Sequence, residues 1–198
     1  MSPRNAETRE TVLAAAEELF ARKGYDLVSL QEIGDAAGVS RGLPSYLFGS
    51  KQSLYEAVLA RVITRAQETM ARAYTEGDQA ASPEDAVESF VGAFLEFLSS
   101  DRNFLRLMQR EALGDGSRVT KFFGSAVDEG LAAVRPAAEK AGIAPERLVL
   151  DLTALCWYPF AHEHTLLPAL RMKPRDPTFL DEHKRHIGDL VRAMTRRG

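Results

Sequence analysis

Ser29-Leu30-Gln31-Glu32-Ile33-Gly34-Asp35-Ala36-Ala37-Gly38-Val39-Ser40-Arg41-Gly42-Leu43-Pro44-Ser45-Tyr46-Leu47-Phe48 is the stretch that decides the fold. Ser29 followed by Glu32 has the form of a capping box, which predicts a short helix over about 30–37. Gly38 can take the left-handed conformation that ends a helix, and Ser40 can cap the next N-terminus. A third helix of about two turns is therefore expected from Arg41 to Phe48. Two short helices joined by a tight glycine-containing turn and braced by a preceding helix make a helix-turn-helix, here about residues 29–48. The second of its helices is shaped for the major groove of B-DNA.

Working outward, Val12, Ala16, Leu19 and Phe20 form one buried stripe on a first helix from Asn5 or Ala6 to Lys23, with Gly24 as its left-handed cap. Gly49-Ser50 makes a second break, with Ser50 capping a long amphipathic helix from Lys51 to about Tyr74. Glu76–Pro83 reads as a loop. Helical spacing then recurs to Ser99 and over about 102–113, 117–141, 145–170 and 177–196, separated by Gly114-Asp115-Gly116, Gly142 and Lys173-Pro174. The fold class is all-α with about nine helices. Residues 1–50 are expected to form the helix-turn-helix domain and 51–198 a helical ligand-binding and dimerisation domain.

The 198 residues are 45% hydrophobic and 27% charged, the balance of a globular protein. No apolar run approaches membrane-spanning length, and the first residues lack an apolar signal core, so a cytoplasmic location without membrane contact is expected. The single cysteine, Cys156, excludes an intrachain disulfide and any multi-cysteine metal site. No glycine-rich phosphate loop, nucleophile elbow or clustered acid–base set is present, so neither enzymatic activity nor a cofactor is expected. Net charge is -3, and residues 1–51 hold six Lys/Arg against seven Asp/Glu, which argues weakly against nucleic acid. The distribution argues the other way. Between Asp35 and Glu56 there is no acidic residue, while Arg41 and Lys51 are both present.

Ala14-Ala15-Ala16, Phe20-Ala21-Arg22-Lys23-Gly24-Tyr25, Ile33 to Ser40 and Phe48-Gly49-Ser50-Lys51 lie in register with a known pattern. Over about residues 8–66 the chain resembles the TetR family of transcriptional regulators. It departs where the family usually has Thr-(Leu/Ile/Phe)-Tyr, showing Leu43-Pro44-Ser45-Tyr46 instead. Pro44 is tolerable in a first helical turn but not deeper, so the recognition helix is expected to begin as a 3₁₀ turn or to start late. The DNA-facing set runs from Ser29 and Gln31 through Ser40 to Tyr46, with Lys51. Ser40 and the amides of Arg41 and Gly42 suit phosphate, and the Arg41 guanidinium suits a guanine. Leu43 or Pro44 can meet a thymine methyl, Ser45 a base or phosphate, and Gln31 a base edge or the backbone. Tyr46 and Lys51 read as backbone anchors, although Tyr46 can equally be core and Lys51 an ordinary solvated lysine. Val39 and Phe48 are expected in the core.

The resemblance implies a dimer in which the last two long helices, about 145–170 and 177–196, pair with their mates as a four-helix bundle. His183, Ile187, Leu190, Val191 and Met194 on the last helix are the expected contacts. It also implies an effector cavity. Phe94, Phe97, Phe104, Met108, Phe122, Phe123, Trp157 and Tyr158 would line one of about 300–1,000 Å³, or else are plain core. His162, His164, His183 and His186 supply no convincing metal set, so no metal is expected. Pro159 and Pro168 are expected to kink the penultimate helix. The resulting expectation is a homodimeric, operator-binding repressor released by a small hydrophobic or aromatic ligand. The alternative is a helical ligand- or protein-binding module that has lost DNA binding.

Overall fold

A computed structural model of the chain describes residues 3–77, 80–114 and 116–196, and every regular element among them is a helix. In order these are α1 (Pro3–Lys23), α2 (Leu30–Ala36), α3 (Leu43–Phe48), α4 (Lys51–Gly77), α5 (Pro83–Ser100), α6 (Arg102–Ala112), α7 (Ser117–Thr120), α8 (Gly124–Ala141), α9 (Pro145–Ala161), α10 (Leu166–Ala169) and α11 (Pro177–Thr195). Of the expected loop and breaks, Asp78, Gln79 and Asp115 lie outside the described residues.

The early boundaries follow local chemistry. Gly24 closes α1 at φ +86°, its amide donating to the Phe20 carbonyl. Ser29 Oγ accepts from the Glu32 amide at 3.1 Å, and the Glu32 carboxylate in turn accepts from the Ser29 backbone amide, the two halves of a capping box. The Glu32 carboxylate also pairs with Lys23 Nζ at 2.5 Å, and this bond first, with the Ser29 amide after it, holds its pKa below the ordinary range. Ser50 caps α4, its Oγ accepting from the Ser53 amide at 3.0 Å.

Two later helices are shorter than periodicity predicts. The expected helix over 117–141 is interrupted between Thr120 and Gly124, where Phe122 donates back to Val119 in a tight turn and a poor helix former, Gly124, begins α8. The expected helix over 145–170 stops at Ala161. Pro159 deprives its last turn of an amide, and the His162 carbonyl is taken by the Thr165 and Leu167 amides as the chain turns into α10. These two breaks account for eleven described helices against the nine expected.

The chain forms two compact units. One runs to Thr64 and also takes in Asn103–Phe122, so the boundary expected at residue 50 falls inside it. Its core holds Val12, Ala16, Phe20, Ile33, Leu54, Val58 and Leu107, none of them solvent-accessible. Tyr55 stands edge-on to Phe20 with 4.9 Å between ring centroids. The other unit comprises Arg65–Arg102 and everything from Phe123 onward. There α11 lies along α5, and α8 packs on α9 and α5. Two glycines make that α5–α11 contact close. A Cβ on Gly92 would stand 2.9 Å from Lys184 Cε, and one on Gly188 would stand 2.7 Å from Glu88 Oε2, so each glycine receives a charged side chain from the opposing helix.

Within that second unit a proline and a histidine complement each other. Pro159 has no N–H to give the Leu155 carbonyl one turn earlier, and His183 Nε2 of α11 lies 3.0 Å from that oxygen. The histidine therefore donates from Nε2 and replaces the missing intrahelical bond.

Candidate nucleic-acid interface

The α2–turn–α3 segment is tied by its own backbone. Val39 donates to the Gly34 carbonyl at 3.0 Å, Leu43 to Ser40 at 2.9 Å and Tyr46 to Gly42 at 3.0 Å. The Leu43–Ser40 bond is a three-residue turn, so α3 starts late, at Leu43, with Gly42 as N-cap and Pro44 in the first turn. Ser40 is therefore not the cap that its position in the sequence suggests, because extending the helix back to Arg41 would drive Pro44 into its interior. Gly34 makes this packing possible. A Cβ there would meet Arg41 Cα at 3.1 Å, the Ser40 carbonyl oxygen at 3.2 Å and Pro44 Cδ at 3.5 Å.

The expected DNA-facing residues divide by exposure. Gln31, Ser40, Arg41, Gly42, Ser45 and Tyr46 are all solvent-exposed, and Tyr46 is 82% exposed. Arg41 Nε donates to Asp35 Oδ1 at 3.0 Å, with both side chains more than half exposed. Ser45 Oγ donates to the Gly49 carbonyl at 3.4 Å. Leu43 is half-buried, whereas Pro44 is buried and so withdrawn from any thymine methyl. Phe48 is in the core as expected, with the Arg9 guanidinium 4.0 Å above its ring, and Val39 is half-buried. Ser29 is engaged in capping α2. Lys51 Nζ donates to the Asp26 carbonyl at 3.2 Å and stands 4.4 Å over the Tyr25 ring, so its ammonium is held in one place.

Sequence reading missed what holds this unit from behind. Arg110 donates to the Ala21 and Arg22 carbonyls at the C-terminus of α1. Buried Tyr55 donates to Glu111 Oε1 at 2.8 Å, and its phenol pKa is pushed up by burial and by that carboxylate. Arg118 lies 3.5 Å from the same carboxylate oxygen and 5.1 Å over the Tyr25 ring, and Lys121 pairs with Glu56 at 3.0 Å. Apart from Arg118 and Glu111, these partners are separated by 56 or more positions, so no local pattern exposes them. The returning segment also offsets the acidic N-terminal sum, since 103–122 carries Arg106, Arg110, Arg118 and Lys121 against Glu111 and Asp115.

The expected effector residues fall on both units. Phe104, Met108 and Phe122 belong to the first; Phe94, Phe97, Phe123, Trp157 and Tyr158 belong to the second. Phe97, Phe104 and Met108 are buried, while Phe123 and Tyr158 are at the surface. A cavity of about 220 Å³ in the second unit is polar instead, lined by Ser82, Glu84, Lys140, Arg192, Thr195 and Arg196. Buried Glu84 is bonded there by Lys140 at 2.6 Å, which with Thr195 holds its pKa down at about 2. Burial pushes the Cys156 thiol up to about 12, consistent with a core position.

The expected dimer contacts need revision. Ile187 and Val191 are buried within the chain's own second unit, so they are not available to a second copy. His183 is engaged with Leu155 and stacks on Phe179, while Leu190 is exposed and Met194 half-buried. On α9, Leu150, Ala154 and Tyr158 recur every four residues and are all exposed. No cluster of three or more metal-ligating side chains occurs among the described residues.

The model of bacterial regulatory proteins of the tetR family matches residues 12–58, from α1 through the helix-turn-helix into α4. Residues 12–58 thus carry the DNA-binding segment characteristic of the TetR family. Helix-turn-helix transcriptional regulators extend the likeness beyond that segment. The transcriptional repressor NicS of Pseudomonas putida is 23% identical over 96% of this chain and 93% of its own length. The transcriptional activator FasR of Mycolicibacterium smegmatis is 36% identical over 52% of this chain, spanning 45% of FasR. A crystal structure described as a TetR-family regulator from Mesorhizobium loti superposes with a TM-score of 0.71 and 18% identity, covering 98% of this chain and 97% of that one, which shows a shared fold. The chain thus has the helix-turn-helix DNA-binding segment of a transcriptional regulator, and its matches over both the segment and the full length are to such regulators. Its matched relatives are regulators and not enzymes.

Proposed function

We propose that the protein is a homodimeric repressor that binds a two-fold operator and is released by a small hydrophobic or aromatic ligand. The observation that carries the DNA half is the surface of the helix-turn-helix, where Arg41 and Tyr46 stand exposed inside a window free of acidic residues from 36 to 55. Arg41 reads a guanine, Leu43 contributes an apolar contact, and Gln31 and Ser45 reach base edges or backbone. Ser40, Tyr46 and Lys51 grip phosphates and fix register. Repression is favoured over activation because NicS, a relative aligned over nearly its whole length, is a repressor. Dimerisation is supported by the exposed Leu150, Tyr158 and Leu190 on α9 and α11, and a ligand site by Phe94, Phe97 and Trp157 of the second unit.

The test is selection of binding sequences from random duplexes, followed by fluorescence anisotropy at several salt concentrations. A selected site should contain two half-sites about 34–36 Å apart, one turn of DNA. Lys51→Ala should weaken all duplexes alike and flatten the salt dependence by about one unit. Failure to enrich any sequence at moderate salt would remove the operator-binding function. Leu150→Glu with Tyr158→Glu should shift the sedimentation of the protein from dimer to monomer.

A further inference from the structure

We propose that Asp35 is a positioning residue that turns Arg41 from a general phosphate-seeking cation into a reader of one guanine. This rests on the operator-binding function proposed above. Asp35 lies on α2 and Arg41 in the turn before α3, and the carboxylate accepts from Nε, the inner nitrogen of the guanidinium. That contact is made through Nε and leaves the end-on edge formed by Nη1 and Nη2 for another acceptor. The two outer nitrogens are a fork that matches guanine O6 and N7.

Three further observations agree. First, the pair is surface-exposed, at 67% for Arg41 and 55% for Asp35, and such pairs add little to folding. A stabilising role therefore does not account for it. Second, the Asp35 carboxylate cancels an Arg41 charge that would otherwise attract phosphates within a Debye length of about 10 Å at 0.1 M salt. Asp35 therefore lowers sequence-neutral affinity, a cost that a role in discrimination accounts for. Third, the backbone of Arg41 is itself fixed, because Gly34 lets its Cα approach within 3.1 Å of where a Cβ would stand. Adjacent residues thus hold Arg41 at both ends, Gly34 at the Cα and Asp35 at Nε. Orienting a long side chain in advance lowers the ordering cost of each base contact. The ion pair also has no net charge, so it adds little to sequence-neutral attraction.

The consequence is a pair of opposite effects that a merely structural residue does not produce. Removing the carboxylate should lower discrimination and raise non-specific affinity together. The experiment compares wild type, D35A, R41A and D35A/R41A on the selected operator, on operators with each guanine replaced in turn, and on random duplex at several salt concentrations. D35A is expected to lose about tenfold of the preference for guanine at a single position of each half-site. It should also bind random duplex severalfold more tightly, with a salt dependence about one unit steeper per head. R41A should abolish the same preference, and D35A should add nothing to that loss in the double variant. D35N, which keeps an oxygen at Nε without the charge, should share the gain on random duplex and recover part of the guanine preference. The inference is overturned if D35A keeps its preference at every guanine, or if its loss is undiminished on the R41A background. A wild-type protein that selects no sequence overturns the operator reading instead, and unchanged thermal unfolding of D35A excludes a folding defect.

Discussion

His183→Leu tests whether one side chain replaces a bond that a proline removes. Pro159 leaves the Leu155 carbonyl without an intrahelical donor, and His183 Nε2 stands 3.0 Å from it. A net hydrogen bond contributes about 0.5–1.5 kcal/mol, and a carbonyl left unsatisfied in a partly buried position adds about 1 kcal/mol more. His183→Leu should therefore destabilise by about 1.5–2.5 kcal/mol, to which loss of the Phe179 stack adds. Pro159→Ala returns an amide to the helix, offset by greater freedom of the unfolded chain, about 0.4–1 kcal/mol. In that background the carbonyl no longer needs the histidine. His183→Leu should then have an effect about 1 kcal/mol smaller, because the stacking loss is common to both backgrounds and cancels in the cycle. Urea denaturation of the four proteins at one fixed protomer concentration measures this coupling. Equal losses from His183→Leu in the two backgrounds would refute the reasoning.

Other outcomes follow from the same geometry. Tyr55→Phe leaves buried Glu111 with Arg118 at 3.5 Å in place of a 2.8 Å hydroxyl, and urea midpoints should show a loss of about 1.5–3 kcal/mol; a loss below about 0.5 kcal/mol would dismiss the bond as minor. Glu84 is held at about 2 against an ordinary 4.5, so its stabilising contribution is present above pH 4.5 and is lost as pH falls towards 2. Lys140→Met should move the acid-unfolding midpoint to higher pH, and an unmoved midpoint would remove Lys140 as the cause. Gly34→Ala gains helix propensity of about 1 kcal/mol, but the added methyl meets backbone at 3.1–3.2 Å. DNA binding should therefore fall at least tenfold while circular dichroism keeps its helix content; wild-type affinity would show that the turn can shift freely.

What the sequence made legible was governed by short-range chemistry. Gly24, Gly38, Ser29 and Ser50 each act through neighbours within four residues, so the helix-turn-helix and its flanks could be placed from their residue types alone. The late start of α3 was legible for the same reason, since Pro44 carries its restriction wherever it sits. The face of α11 was not. Ile187 and Val191 are spaced like Leu190 and Met194, and only the presence of α5 decides which of them is buried. Periodicity reports an apolar stripe without saying whether the chain itself or a second copy covers it. The Asp35 carboxylate was in view in the motif, yet its hold on Arg41 depends on the turn closing, which six positions of sequence do not reveal.

The return of Asn103–Phe122 to the unit that ends at Thr64 bears on how such regulators can be recombined. A chimaera that exchanges only the first sixty-odd residues would carry Tyr55, Glu56 and the α1 carbonyls without Glu111, Lys121 and Arg110, the groups that satisfy them here. A graft that moves both segments keeps those contacts intact. A reading head built from two separated stretches of gene must therefore be inherited in two pieces at once, and a single crossover between related genes breaks it.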